Sequence, residues 1–345
     1  EVLQWNNSGY TDEDGIQIDI AYRETARETT VKDRWSVMGG SVNFGKIRIA
    51  LISTASIPTL YPFNGYGGIE RIVADLAHEL SVMGMDVTVI GAPGTKTDGD
   101  NIEISSEKDM RGMKIDADIV IDFSHLKLYD GKKYSVPFWS DSQGSNPIYP
   151  TEAVMRSFGV SDGKVIYPGI DLGAYTVAYK APYYVYLGRI ADFKGVYDAI
   201  RIARHQGIKL KIMGHTGKYA DMDYVEWIKW QSTGEIEFIG DVTEDEKRAI
   251  LSMSIGMLFF PHWERLHYNI PNPIESFGIN VVEALASGVP VYTNSGKYGG
   301  HVELISIADG GEIIDEDDYR TYSAITDTHY DHEEYVNMPW IYFNI

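Results

Sequence analysis

The sequence predicts an α/β chain of two doubly wound parallel sheets, and three observations predict it. From Lys46 onward, short apolar runs alternate with amphipathic helical segments, the texture of strands buried on both faces and the helices that cover them. The alternation lapses near Val165 and restarts at Tyr183. Between the two series, Val165-Ile-Tyr-Pro-Gly-Ile-Asp171 carries the Pro168 and Gly169 punctuation of a passage from one sheet to the next.

Residues 46–53, Lys-Ile-Arg-Ile-Ala-Leu-Ile-Ser, form the first buried strand, and a loop with Gly65, Gly67 and Gly68 follows it. Ile72, Val73, Leu76, Ala77 and Leu80 then share one helical face, and Gly84 supplies the stop. Strands follow at 87–90 and 118–122, the second ending in a polar cluster with His125, and a further strand is expected at 136–139. The second series reads as strand 183–187, helix 196–206, strands 210–213 and 236–239, helix 244–253 and strand 256–260. This gives an extension at 1–45, a first Rossmann-like domain at 46–165, a second at 166–320 and a tail at 321–345. The extension alternates at Ile16, Ile18 and Ile20 as one strand would, and an added edge strand or packing arm is favoured for it over a partner-binding role.

The 345 residues suffice for two domains with separate cores, and 44% hydrophobic residues with 34 glycines describe an ordered globular chain. A formal charge of -20 opposes attraction to nucleic acid and to anionic lipid surfaces. The lack of cysteine excludes disulfides, thiolate metal sites and a cysteine nucleophile. It fits either redox environment, so cytoplasm is the default expectation. No run approaches the roughly 18 to 20 apolar residues of a membrane-spanning helix, and residues 1–45 lack the basic-then-apolar pattern of a signal peptide. No transmembrane segment is expected, while peripheral membrane contact stays open. Residue 1 is Glu, which leaves a preceding targeting segment open.

The most informative segment is Glu275-Ser-Phe-Gly-Ile-Asn-Val-Val-Glu283. Gly278 marks a helix start, with Glu275 in the loop before it and Glu283 within the helix. The free amides near Phe277, Gly278, Ile279 and Asn280 would face a diphosphate, which unpaired donors and the helix dipole both favour. A carboxylate accepts hydrogen bonds from a vicinal diol, so the flanking acids suit sugar hydroxyls. For the pair alone, a solvated helix with two surface acids explains the spacing equally well.

That stretch resembles the Glu-x7-Glu motif of the family 4 retaining glycosyltransferases, also called the glycosyl transferases group 1 family. Other segments resemble the family in order: the glycine loop Gly65-Tyr-Gly-Gly-Ile-Glu-Arg71, Tyr167-Pro-Gly-Ile-Asp171, Gly188-Arg-Ile-Ala-Asp-Phe-Lys-Gly195, Phe238-Ile-Gly-Asp241 and Gly299-Gly-His-Val-Glu303. The resemblance covers about residues 46–314. It implies the GT-B fold, two Rossmann-like domains facing a central cleft, and retaining transfer of a hexose-type sugar from a nucleotide diphosphate sugar to an acceptor glycan, lipid or small molecule. By the same resemblance, Arg189 and Lys194 meet the donor diphosphate, Gly67, Gly68 and the run from Glu275 through Ser276, Phe277, Gly278 and Ile279 line the donor site, Glu275 meets the hexose, Glu283 grips the ribose and His125 touches the donor sugar. Fixed cations and amides would replace a metal in stabilising the departing diphosphate, so neither metal nor further cofactor is expected.

Three alternatives are weighed against these residues. A dinucleotide site needs G-x-G-x-x-G and an acid after the next strand, but Arg71 stands near the third glycine position and Gly91 follows that strand. Gly94-Thr-Lys-Thr97 lacks P-loop spacing, Asp116-Ala-Asp118 leads directly into a buried strand, and His262 and His267 show no metal spacing. A phosphorylase or synthase of the same architecture, or a binding protein on an inactive GT-B core, is the rival reading. The first domain is short for the family, the loop 261–273 is expanded, and an acidic stretch with Trp340-Ile-Tyr-Phe stands in place of a long closing helix, so the acceptor is the part left unspecified.

Overall fold

The structure is a computed structural model that describes residues 47–110, 113–124, 131, 133–138, 144–217, 220–261, 275–295 and 299–314. The expected extension at 1–45, the tail at 321–345, His125 and most of the loop 261–273 lie outside the described residues.

Two parallel sheets carry the fold. The first contains β1 (Arg48–Ile52), β2 (Asp86–Gly91), β3 (Asp100–Glu103), β4 (Ile119–Asp122) and β5 (Tyr134–Ser135) in the order β3-β2-β1-β4-β5. The second contains β8 (Tyr184–Leu187), β9 (Leu210–Met213), β10 (Ile236–Gly240), β11 (Gly256–Leu258), β12 (Val291–Asn294) and β13 (Gly311–Ile314) in the order β10-β9-β8-β11-β12-β13. Both orders reverse direction beside the first strand of the series, between β1 and β4 and between β8 and β11. Such a reversal opens a crevice at the carboxyl ends of the strands, where ligands of doubly wound folds bind. A two-stranded pair, β6 (Ile148–Tyr149) with β7 (Lys164–Val165), lies between the series.

The central strands are buried as their composition requires. Leu51 and Ile52 of β1, Val185 and Tyr186 of β8, and Met257 and Leu258 of β11 are all fully covered. Around the first sheet, helix α1 (Gly68–Val82) turns Ile72, Val73 and Ala77 inward onto β1 and β2, as its periodicity predicts. Around the second sheet lie α3 (Val196–Gln206), α4 (Met222–Gln231), α5 (Glu244–Met253), α6 (Ile279–Ala286) and α7 (Gly300–Ala308). Helix α5 starts on a full capping box between Thr243 and Glu246. No helix among the described residues is long and apolar enough to cross a membrane.

Helix α2 (Glu152–Ser157) precedes the second series in sequence yet packs against α7. Glu303 of α7 accepts the amides of Glu152 at 3.0 Å and Ala153 at 2.7 Å, and also the Tyr167 hydroxyl. Thr151 caps α2 and donates to Ser276 O at 3.0 Å.

Three differences from the sequence expectation have physical causes. The strand expected at 136–139 is instead β5 at Tyr134–Ser135: Val136 gives the last ladder bond, to Asp122 O at 2.9 Å, Phe138 is buried by packing beyond it, Trp139 lies outside the described residues, and apolar alternation reports burial. Strand β3 carries no apolar signal because all four of its residues are exposed on the sheet edge. Helix α4 buries only Val225 and Ile228, too narrow a stripe for periodicity to reveal, and its start is fixed by the Asp221 side chain accepting from Asp223 N and Tyr224 N.

Candidate active site

The crevices of the two sheets open into one cavity of about 370 Å³. The first sheet contributes the segment after β1, including Thr54 and Ser56, and the glycine loop with Tyr66, Gly67 and Gly68. The second contributes Arg189 after β8 and the run from Glu275 to Ile279 before and into α6. A cavity of this size lies within the range of small-molecule sites.

The glycine loop is held by its own helix. Gly67 has φ 133°, and a Cβ placed there would lie 2.3 Å from Glu70 Oε2, so the loop can form only around a bare backbone. Glu70 is buried and accepts from the Thr54 hydroxyl, and burial raises its pKa above the usual carboxylate value. Tyr66 at the tip stacks on His215 after β9, with ring centroids 4.1 Å apart and planes 9° from parallel. His215 Nδ1 in turn lies 3.0 Å from Asp241 Oδ1 after β10. The first sheet's loop is thereby closed onto the carboxyl ends of two strands of the second.

After β8 the chain makes a short turn over Asp192–Lys194 and then enters α3. The turn is anchored from below by the Tyr186 hydroxyl, which donates to Arg189 O at 2.9 Å. Arg189 faces the Tyr66 and Phe193 rings, with Cζ 5.5 Å and 5.6 Å from their centroids, and its buried Nε has no hydrogen-bond partner among the described residues. Lys194 Nζ pairs with Glu275 Oε2.

The loop before α6 and the first turn of that helix are pinned by side-chain and backbone bonds. Gly300 N donates to Glu275 O at 2.6 Å, Ser276 Oγ to Phe138 O at 2.5 Å, and Asn280 Nδ2 to Leu187 O at 2.7 Å. Gly278 has φ 94°, a left-handed conformation that brings the chain into the helix without a side-chain cap. The helix start is therefore presented to the cavity by a backbone that a Cβ would strain.

Glu283, further along α6, does not line the cavity. It is buried within an ion cluster: Arg71 Nη1 of α1 lies 2.5 Å from Oε1, Lys247 Nζ of α5 2.7 Å, and the Tyr175 hydroxyl 2.8 Å. Burial pushes this carboxyl up, but the charges of Lys247 and Arg71 outweigh it and hold the pKa below the ordinary value. Beneath Glu275 lies His301 of α7, fully buried, with neither ring nitrogen hydrogen-bonded among the described residues and its pKa driven down to about 4 by burial.

Of the residues singled out from sequence, the structure thus gathers Gly67, Gly68, Arg189, Glu275, Ser276, Phe277, Gly278 and Ile279 at one cavity, and Lys194 through its pair with Glu275. Glu283 is set apart in the ion cluster, and His125 falls outside the described residues. Asp116 and Asp118 both pair with Arg48 at the start of β1, the opposite end of the strands from the cavity. Sequence reasoning missed Tyr66, His215, Tyr175 and Lys247, and read Arg71 only as part of the glycine-loop motif. Each of these acts through contacts between distant segments that no local spacing reports.

The family model of glycosyl transferases group 1 matches residues 174–337. A search of curated protein sequences finds no significant match. Among solved structures, the chain is similar to AviGT4, a glycosyltransferase involved in avilamycin A biosynthesis, with TM-score 0.61 and 22% identity over 85% of this chain and 89% of that one. It is also similar to WaaG, a glycosyltransferase involved in lipopolysaccharide biosynthesis, with TM-score 0.53 and 13% identity over 78% of this chain and 86% of that one. At these identities the likeness speaks for the fold, and the family match speaks for the second sheet and its helices. The chain thus has the GT-B fold, and its residues 174–337 are similar to the glycosyl transferases group 1 family.

Proposed function

We propose that the chain is a retaining glycosyltransferase that moves a hexose-type sugar from a nucleoside diphosphate sugar to an acceptor hydroxyl without a metal ion. The observation that carries this reading is the convergence of two cations, Arg189 and Lys194, and the start of α6 with the Glu275 carboxylate on a cavity walled by both sheets. The diphosphate would lie against the α6 amides, the Arg189 guanidinium and the Lys194 ammonium, where charge building on the leaving group is met by donors already in place. Glu275 would take hydroxyls of the hexose, and Glu283 the ribose diol. The bond from the anomeric carbon to the diphosphate breaks as the bond to the acceptor oxygen forms on the same face, and the departing phosphate oxygen takes the acceptor proton. Little is then asked of a protein base.

A thermal-shift panel of UDP, GDP, ADP and their hexose conjugates tests the reading, because a ligand that binds the folded state alone raises its apparent stability. At least one nucleoside diphosphate should raise the melting temperature in the presence of EDTA. A panel with no shift at millimolar ligand would remove the nucleotide-sugar site.

A further inference from the structure

The two walls of the cavity differ in charge. On the first sheet's side, Thr54, Ser56, Ile57, Glu70, Ile72 and Phe138 line it together with the glycine loop, and none of these residues is a cation. On the second sheet's side stands Arg189. The carboxyl of the first wall, Glu70, belongs to a residue only 3% exposed, and its Oε1 accepts from the Thr54 hydroxyl. The segment leaving β1 and the first turn of α1 are thus joined at the cavity by a hydroxyl and a carboxyl.

A helix start explains an acid at residue 70, because the dipole favours a carboxylate in the first turn. It does not explain why that acid is turned inward. A solvated glutamate would meet the dipole with no loss of hydration, whereas a buried one needs compensation. The backbone is nevertheless shaped to admit it: a Cβ at Gly67 would overlap Oε2, so the bare glycine leaves the carboxyl its place. Among the described residues no cation pairs with Glu70, and burial raises its pKa.

We infer that Glu70 and Thr54 form an acceptor subsite for a neutral sugar, whose ring hydroxyls pair with the carboxyl and the hydroxyl side by side on this wall. The inference rests on the glycosyltransferase reading and names the acceptor class for it. A carboxyl next to a hydroxyl matches two neighbouring ring hydroxyls, and Ile57 and Ile72 on the same wall suit the C–H face of a ring. A sugar phosphate would meet a carboxyl with no cation beside it, the kind of unpaired charge by which a site rejects a wrong partner. An alkyl alcohol would leave the buried carboxyl without the hydroxyls it can accept from, which a site built for hydrogen bonds also discriminates against.

The test uses the full chain with the nucleoside diphosphate that stabilises it, the Glu70→Gln and Thr54→Val variants, and saturation-transfer NMR titration with the methyl glycosides of glucose, galactose and mannose, each beside its 6-phosphate. At least one neutral glycoside should bind the wild type about tenfold tighter than its 6-phosphate, the scale of one hydrogen bond to a charged group. Glu70→Gln should lose about tenfold on that glycoside and narrow its preference over the phosphate. Thr54→Val, which removes the hydroxyl and keeps the shape, should weaken the glycoside too, and it carries the test if Glu70→Gln does not fold. A glutamate that only supports the glycine loop would lower the melting temperature and leave the ratio of glycoside to phosphate as it was. No neutral glycoside bound, phosphates bound as well as neutral forms, or an unchanged ratio in Glu70→Gln would each overturn the inference. Failure of every nucleoside diphosphate to bind would instead remove the glycosyltransferase reading, and a glycoside preference lost with Glu70→Gln on the free chain would still support a sugar subsite there.

Discussion

Lys194, in the turn after β8, closes a salt bridge with Glu275, in the loop before α6, and the two side chains are only 17% and 16% exposed. The family resemblance implies different roles for these groups, at the diphosphate and at the hexose. In the structure they neutralise each other. A diphosphate held by Lys194 would therefore compete with Glu275 for it.

Replacing Arg189 or Lys194 by Ala should weaken nucleoside diphosphate affinity by roughly 1 to 3 kcal/mol, the range for charge-assisted hydrogen bonds. Calorimetric titration of the two variants, with melting temperatures recorded in parallel, measures it. Unchanged affinity in both would remove these cations from the diphosphate.

Glu275→Gln and Glu283→Gln should fail differently. Glu275→Gln releases Lys194 from its partner, so diphosphate binding should hold or tighten, while kcat falls by about 10²-fold through lost placement of the hexose. Glu283→Gln leaves Arg71 and Lys247 facing a neutral amide in a buried site, which should cost roughly 3 kcal/mol of stability and weaken diphosphate and nucleotide sugar alike. Thermal melts and steady-state kinetics at saturating donor separate the two patterns. A Glu275→Gln variant with wild-type kcat would contradict the assignment.

Transfer or donor hydrolysis should persist after exhaustive EDTA treatment. Activity lost with EDTA and restored by manganese or magnesium would replace the cation-and-amide account of the leaving group.

His301 supplies a pH signature. Its folded-state pKa of about 4 lies below the ordinary value of 6.5, so protons bind the unfolded chain more tightly and stability drops as pH falls through that window. Between pH 7.5 and pH 5 the drop from this group should be about 2 kcal/mol. In His301→Leu that part of the slope should vanish, leaving the variant relatively more stable at pH 5 than at pH 7.5. Parallel denaturant titrations at the two pH values check it, and an identical slope in both proteins would count against a buried neutral imidazole.

The parts of this site legible in the sequence are those built from local rules. Gly278 ahead of Ile279, Val282 and Leu285 announces a helix start, and Gly67 followed by Ile72, Val73 and Leu76 announces a loop entering another. Arg189 and Lys194 stand out only through the order of the family motifs, because two cations after a strand read alone as a surface ion pair. The surroundings of Glu283 were not legible, since its closest partner, Arg71, lies 212 residues away and meets it only where the helix packed on the first sheet meets the second. His301 was hidden for a related reason: its burial depends on Phe259, whose ring it meets edge-on, and on the loop above it, not on its own helix. The segment Val136 to Phe138 failed in the opposite sense, because burial just past the end of a strand carries the same apolar signature as the strand itself.

The bonds of Glu303 to Glu152, Ala153 and Tyr167 bear on where the molecule can bend. Pro168 and Gly169 look like the natural joint from the sequence, yet the residues on their N-terminal side, back to Thr151, are fastened to α7 and to Ser276. A relative rotation of the sheets that keeps those bonds must take α2 along with the second sheet and place its pivot upstream, between β5 and Thr151. The covalent order of the chain and its mechanical order then differ, with a short stretch of the first half travelling as cargo of the second.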